Sequence, residues 1–216
     1  TQTTFIRLFR KSLIYEDLRI CNWDPKLQTT IADSEIEYRE IASTFNYITF
    51  RVKETNEKIL IATTRPELIA ACGMIIYGPG DERYVHLEGK TIITPIYGKE
   101  IPIREHPFAK KDKGSGLVMM CSAGDVADIQ FFREQNLQAT IIIEKDGTMN
   151  EKAGLLHKLK IKEARARIIE ELQKENLLVK QESITHSTPI SERSQAEIEF
   201  IEMPEFYLKQ QEIKDD

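Results

Sequence analysis

The chain has 216 residues, 41% hydrophobic and 30% charged, with a formal net charge of −5, enough for one sizeable core or a core with appendages. No apolar run approaches the roughly 18 residues of a membrane span, so no membrane partner is expected. The acidic balance argues against a broad basic nucleic-acid surface but permits local contact with one single-stranded end.

Three separated cysteines (Cys21, Cys72, Cys121) suit a reducing compartment without a disulfide framework. No Cys-x-x-Cys or His-x-x-x-His spacing occurs, and His86, His106, His157 and His186 stand alone, so no metal is expected. The first residues, Thr1-Gln2-Thr3-Thr4, carry neither an initiator Met nor a basic-then-apolar leader, so the chain reads as a fragment of a longer protein.

Residues 1–20 read as the end of a helix, with Phe5, Leu8, Phe9 and Leu13 at helical spacing, broken by Asn22-Trp23-Asp24-Pro25. A strand-like Glu35-Ile36-Glu37-Tyr38 follows. From about 46 to 145 short strands crowd together. Tyr47 to Val52 and Ile59 to Ala62 flank a hairpin turn, Glu54-Thr55-Asn56-Glu57. Further runs are Gly73 to Tyr77, Thr91 to Tyr97, Ile101 to Ile103, Gly116 to Cys121 and Ala139 to Ile143. This spacing predicts a barrel or sandwich. Two helices are expected, one capped by Asp125 and carrying Ile129, Phe132 and Leu137. The other has the stripe Ile161, Ala164, Ile168, Leu172 and ends near Asn176. The tail from 183 is polar and poorly periodic, with a strand-like piece at Ala196 to Ile201.

Ala62-Thr63-Thr64-Arg65-Pro66-Glu67 follows the apolar Ile59-Leu60-Ile61, so two hydroxyls, a guanidinium and a carboxylate arrive at one strand end that Pro66 stops. Paired hydroxyls can bond a small polar substrate, and an arginine can hold a phosphate or carboxylate bidentately. The same residues also suit an ordinary strand end with a solvated Arg–Glu pair.

A second constellation runs from Gly114-Ser115-Gly116 through Leu117–Cys121 to Ser122-Ala123-Gly124-Asp125-Val126-Ala127-Asp128: strand, small-residue turn, helix start. Asp125 and Asp128 are three apart and share a face. Asp125 as N-cap with Asp128 in the first turn is sound helix chemistry by itself. A carboxylate gripping a substrate ammonium or orienting a water is compatible with it. Cys121 has no histidine nearby in sequence and is not read as a nucleophile. The basic runs Lys110-Lys111-Asp112-Lys113 and Lys158 to Arg167 suit a solvated loop and a solvated helix face.

Several segments in order resemble one family, the valyl-tRNA synthetases. Asn22 to Thr29 with Ala32 to Glu35 is similar to the entry into their large connective insertion, and Ala62 to Glu67 to its threonine-rich editing motif. The match continues through Asp81-Glu82-Arg83-Tyr84, His86 to Lys90, Gly114-Ser115-Gly116 and the Asp125–Asp128 turn. It closes with Asp146 to Glu151, Glu163-Ala164-Arg165, His186-Ser187 and Ser191-Glu192-Arg193-Ser194. Isoleucyl and leucyl relatives share the architecture. Pro66-Glu67 and the Ser-Glu-Arg-Ser run favour the valyl member. Many bacterial members carry Lys, Thr and His where Met119, Cys121 and Gly124 stand, so this chain resembles the archaeal-type branch.

The resemblance implies a β-rich α+β editing-domain fold with a barrel-like core and peripheral helices. Residues 1–45 would enter the insertion, 46–182 form the core with its C-terminal helix, and 183–216 return toward the catalytic body. It further implies a cytoplasmic, monomeric, cofactor-free hydrolase of mischarged tRNA, joined to the rest of a parent synthetase. No His-x-Gly-His or Lys-Met-Ser-Lys-Ser run marks an ATP site here. The partner would be the 3′ end of tRNA(Val) carrying threonine. Discrimination of valine from threonine by this very class of enzyme is the standard illustration of how weakly an apolar pocket rejects an added hydroxyl, about a hundredfold. A second site must therefore recognise the hydroxyl. By resemblance Asp128 anchors the substrate α-ammonium with Asp125 beside it as the catalytic pair. Thr63, Thr64, Arg65, Glu67, Met119 and Cys121 line the substrate site, Arg65 toward the tRNA end. The alternatives are leucyl or isoleucyl specificity, or a tRNA-end binding module without hydrolysis.

Overall fold

A computed structural model describes residues 1–214. In chain order the elements are helix α1 (Gln2–Arg10), strands β1 (Ile14–Asp24), β2 (Thr29–Thr30), β3 (Ile36–Val52), β4 (Lys58–Thr63), β5 (Cys72–Tyr77), β6 (Thr91–Ile93), β7 (Glu100–Glu105) and β8 (Leu117–Cys121), helices α2 (Val126–Glu134) and α3 (Ile161–Lys174), and strands β9 (Leu178–Ser191) and β10 (Glu199–Leu208). The fold is a β-rich α+β architecture. One sheet runs β4-β3-β6-β7-β5-β8 with β9 also paired to β3, and a smaller one runs β10-β1-β2. The ends of the large sheet, β4 and β8, touch without pairing, so the core is barrel-like but not closed.

The β3–β4 hairpin forms as its pattern predicts. Ile48, Phe50 and Val52 of β3 and Ile59 and Ile61 of β4 are buried on one face, the period-two signature of a strand. Asn56 supplies the left-handed turn residue at φ 59°. β5 reads as a continuous apolar run because both its faces are covered. Ile75 and Tyr77 enter the main core, while Met74 and Ile76 pack with Phe131 and Phe132 of α2. Gly73 makes that packing close, since a Cβ there would lie 2.6 Å from Phe132 Cζ. α3 buries Ala164, Ile168 and Leu172, and it packs on the short 3-10 helix Pro66–Ala71 that follows β4.

Several expectations are corrected. The N-terminal helix ends at Arg10, and Ile14–Asp24 is a strand antiparallel to β10, in register from Ile14↔Leu208 to Trp23↔Glu199. Helical periodicity in Phe5, Leu8 and Phe9 was real, but the partner of the β-branched and aromatic stretch after it lies at the far end of the chain. The polar tail is two long strands. β9 pairs with β3 from Ile36↔Ser191 to Ile48↔Leu178. Much of β9 is exposed, so no buried face imposes an alternation on its sequence. Ala139–Ile143 forms no strand, only a bridge from Ile143 to Met149.

Candidate active site

The ends of β4 and β8 face one cavity of about 430 Å³. At the β4 end, buried Asn46 donates to the Thr63 carbonyl at 3.2 Å and accepts from Gln181 at 2.7 Å, which pins the strand terminus. Thr63 Oγ1 accepts from the Arg65 amide at 3.1 Å and shapes the turn. Pro66 then begins the 3-10 helix, whose six residues are all buried.

Arg65 bridges the two strand ends. It donates from Nε to Glu67 at 3.2 Å, from Nη1 to the Gly124 carbonyl at 3.0 Å and from Nη2 to Glu199 at 2.7 Å. Burial opposes its charge, but Glu199 and Glu67 outweigh burial and push its pKa up. Glu67 is wholly buried, and it also accepts two bonds from Arg165 of α3, at 3.0 and 2.8 Å. The Arg65–Glu67 pair is therefore part of a buried network, not the solvated pair that the strand-end alternative supposed.

At the β8 end, Ser122–Gly124 turns the chain into α2. Asp125 is the N-cap, its carboxylate accepting from the Asp128 amide at 2.7 Å. The two carboxylates differ sharply in environment despite their spacing: Asp125 is exposed, while Asp128 retains 9% of its accessible surface. Asp128 Oδ1 accepts from the Cys121 amide at 2.9 Å, and among the described residues no donor reaches Oδ2. Gly124 makes room for that oxygen, since a Cβ there would lie 2.1 Å from it. Burial, then the charge of Asp125, raise the Asp128 pKa well above the ordinary carboxylate value, against the Cys121 amide and Arg65.

The cavity brings together Thr63, Thr64, Arg65, Met119, Cys121, Asp125 and Asp128. Glu67 does not line it and lies beneath. Burial, and Cys72 opposite it in the sheet, push the Cys121 thiol well above its usual pKa, away from the thiolate a nucleophile needs. Sequence reasoning assigned no role to Arg165 or Glu199. Arg165 stands four residues after Ile161 on the flank of the buried stripe, a signal that was legible. Glu199 lies between buried Ile198 and Phe200, and nothing local marks it. Lys110, Lys113, His186 and Thr188 also line the wall. Among the described residues no group of three His, Cys, Asp or Glu side chains could hold a metal ion, and no helix is long and apolar enough to cross a membrane.

The family model of class I tRNA synthetases (I, L, M and V) matches residues 1–216, and the chain belongs to that family. Its relatives by sequence are valine--tRNA ligases. It is 46% identical over 215 residues to that of Aeropyrum pernix, covering 100% of this chain and 26% of the relative. With that of Pyrobaculum aerophilum it shares 44% over 215 residues, 100% and 27% covered, and with that of Rickettsia conorii 42% over 210 residues, 97% and 26% covered. The chain thus spans about a quarter of the length of these relatives. A crystal structure of a LeuRS–tRNA–LeuAMS ternary complex from Agrobacterium radiobacter shares the fold. It matches with a TM-score of 0.51 at 17% identity, over 86% of this chain and 32% of that one.

Proposed function

We propose that this chain is the editing region of a valine–tRNA ligase, which hydrolyses the ester of threonine misattached to tRNA(Val). One observation carries the reading: Asp128, nine-tenths buried on the cavity wall, has one oxygen held by a backbone amide and the other, among the described residues, without a donor. Such a carboxyl fits a cationic group of a ligand, here the α-ammonium of an aminoacyl ester, whose binding would return it to the charged form. Thr63 and Thr64 on the facing wall offer hydroxyls to the threonine side chain, which valine would leave unpaired. The cavity volume lies within the range of about 300–1,000 Å³ typical of ligand sites.

The ester is already activated, so orientation of the ester and a water supplies much of the rate, with Asp128 and Asp125 as the carboxylate pair. In this reading the free ribose hydroxyl of the terminal adenosine assists. Arg65, its donors engaged by protein acceptors and its charge met by Glu67 and Glu199, holds the two strand ends together, while Lys110 and Lys113 on the cavity wall offer charge to the phosphates of the tRNA end. Residues 1–45 and 183–216 connect this core to the remainder of a cytoplasmic parent enzyme.

Deacylation of threonyl-tRNA(Val) against valyl-tRNA(Val), by this chain and by the parent enzyme, tests the reading. Threonyl ester is expected to be lost in preference, and Asp128→Ala to abolish the reaction. Truncating one member of a buried charge pair costs about 2–5 kcal/mol, so a variant that hydrolyses at an unchanged rate removes Asp128 from its role. Salt-dependent tRNA binding without hydrolysis by the parent enzyme would favour a binding module instead.

A further inference from the structure

Glu199 stands at the inner end of β10, where it pairs with Trp23 of β1. Its side chain is 6% exposed and meets Arg65 Nη2 at 2.7 Å. Burial raises its pKa, opposed by Arg65. Four elements thus contribute one charge each to a network of two guanidiniums and two carboxylates: Arg65 from the end of β4, Glu67 from the 3-10 helix, Arg165 from α3 and Glu199 from β10. A guanidinium is a rigid planar fork. Glu67 at Nε and Glu199 at Nη2 hold two sides of the fork, and the third, Nη1, grips the Gly124 carbonyl at 3.0 Å. Gly124 is the residue against which the Asp128 carboxylate packs.

We propose that Glu199 is a positioning residue for this site: it orients the Arg65 fork so that Nη1 fixes the Gly124 carbonyl, and through that carbonyl the place of the Asp128 carboxylate. Without Glu199, Nη2 loses its anion, and the fork is held only by Glu67 at Nε and by the Gly124 carbonyl it is meant to fix. The β1–β10 ribbon that leaves the core is thereby tied to the site by one ion pair. The kinetic consequence rests on the editing reading; the coupling of Glu199 to Asp128 does not.

The test compares Glu199→Gln, which keeps the shape and removes the charge, with Glu199→Asp, which keeps the charge on a shorter stem. Asp128 carboxyl titration is followed by ¹³C NMR in the unliganded chain, and threonyl-tRNA(Val) deacylation is followed in parallel. In Glu199→Gln the Asp128 midpoint is expected to move to lower pH, because Arg65 is no longer balanced by Glu199. The kcat is expected to fall about tenfold from misplacement of the carboxylate, with KM within about twofold, and Glu199→Asp should recover part of both. An unchanged Asp128 titration in the variants overturns the positioning role. A wild-type chain and parent enzyme that titrate as expected yet do not deacylate overturn the editing reading and leave the positioning role standing. If Glu199→Gln does not fold, the titration in Glu199→Asp decides.

Discussion

The two strand ends that face the cavity handle buried charge in opposite ways. At the β4 end, Glu67 meets two guanidiniums and Arg65 meets two carboxylates, so the local charge closes to zero. At the β8 end Asp128 is nearly as buried, but among the described residues it has a single backbone donor, and the nearby Arg65 is committed to Glu67, Glu199 and Gly124. A neutralised network is scaffold, because its partners satisfy one another. A buried carboxyl without its own cation is unfavourable until a cation arrives, which is the property a binding site needs. Arg65, singled out for tRNA contact, spans both ends and joins the scaffold to the site.

The largest effect should come from breaking the neutral side. Glu67→Gln leaves Arg65 and Arg165 competing for neutral amide oxygen in a fully buried position, and removing one partner of a buried pair costs about 3–5 kcal/mol. Urea denaturation should register a loss of that size, and a loss below about 1 kcal/mol would mean the network is solvated in practice. Gly124→Ala tests the contact between the sides. Its methyl would meet Asp128 Oδ2, an overpacking worth about 1–3 kcal/mol. It should depress deacylation more than stability, because the carboxylate is what gives way. Equal stability and equal activity would show that the carboxylate does not sit where this contact puts it.

The smallest effect is on the uncompensated side and has a pH signature. A folded-state pKa above the unfolded one means the folded chain binds the Asp128 proton more tightly. The stability this supplies is present below the ordinary carboxylate pKa and is lost as pH rises through the raised value. Asp128→Asn keeps an oxygen for the Cys121 amide and removes the charge, so it should raise the melting temperature at neutral pH while deacylation is lost. That gain should shrink toward zero near pH 4. A variant less stable than the parent sequence at neutral pH would show that the carboxylate is compensated after all.

Much of the core was legible because its signals are local. Ile48, Phe50, Val52, Ile59 and Ile61 alternate because one face of a hairpin is buried. Ile161, Ala164, Ile168 and Leu172 repeat with helical period because one stripe of α3 is turned inward, chiefly onto the 3-10 helix after β4. The Asp125 cap followed from a small-residue turn before an apolar helix. The ribbons were not legible. β9 is polar on both sides for much of its length, and β1 finds its partner about 180 residues away at β10, so no nearby pattern announces either.

The sequence by itself determined which residue types stand at the two strand ends, since the threonines, Arg65 and Pro66 follow a β-branched run and Asp125 and Asp128 open a helix. Only the tertiary structure decided what their charges do. Whether an arginine is free for a ligand or bound into a scaffold depends on Glu199, 134 positions from it, and on Arg165, which reaches Arg65 only through their shared partner Glu67. Whether a carboxylate is compensated depends on burial and on the sum of charges brought around it. These are properties of proximity in space, and spacing along the chain does not encode them.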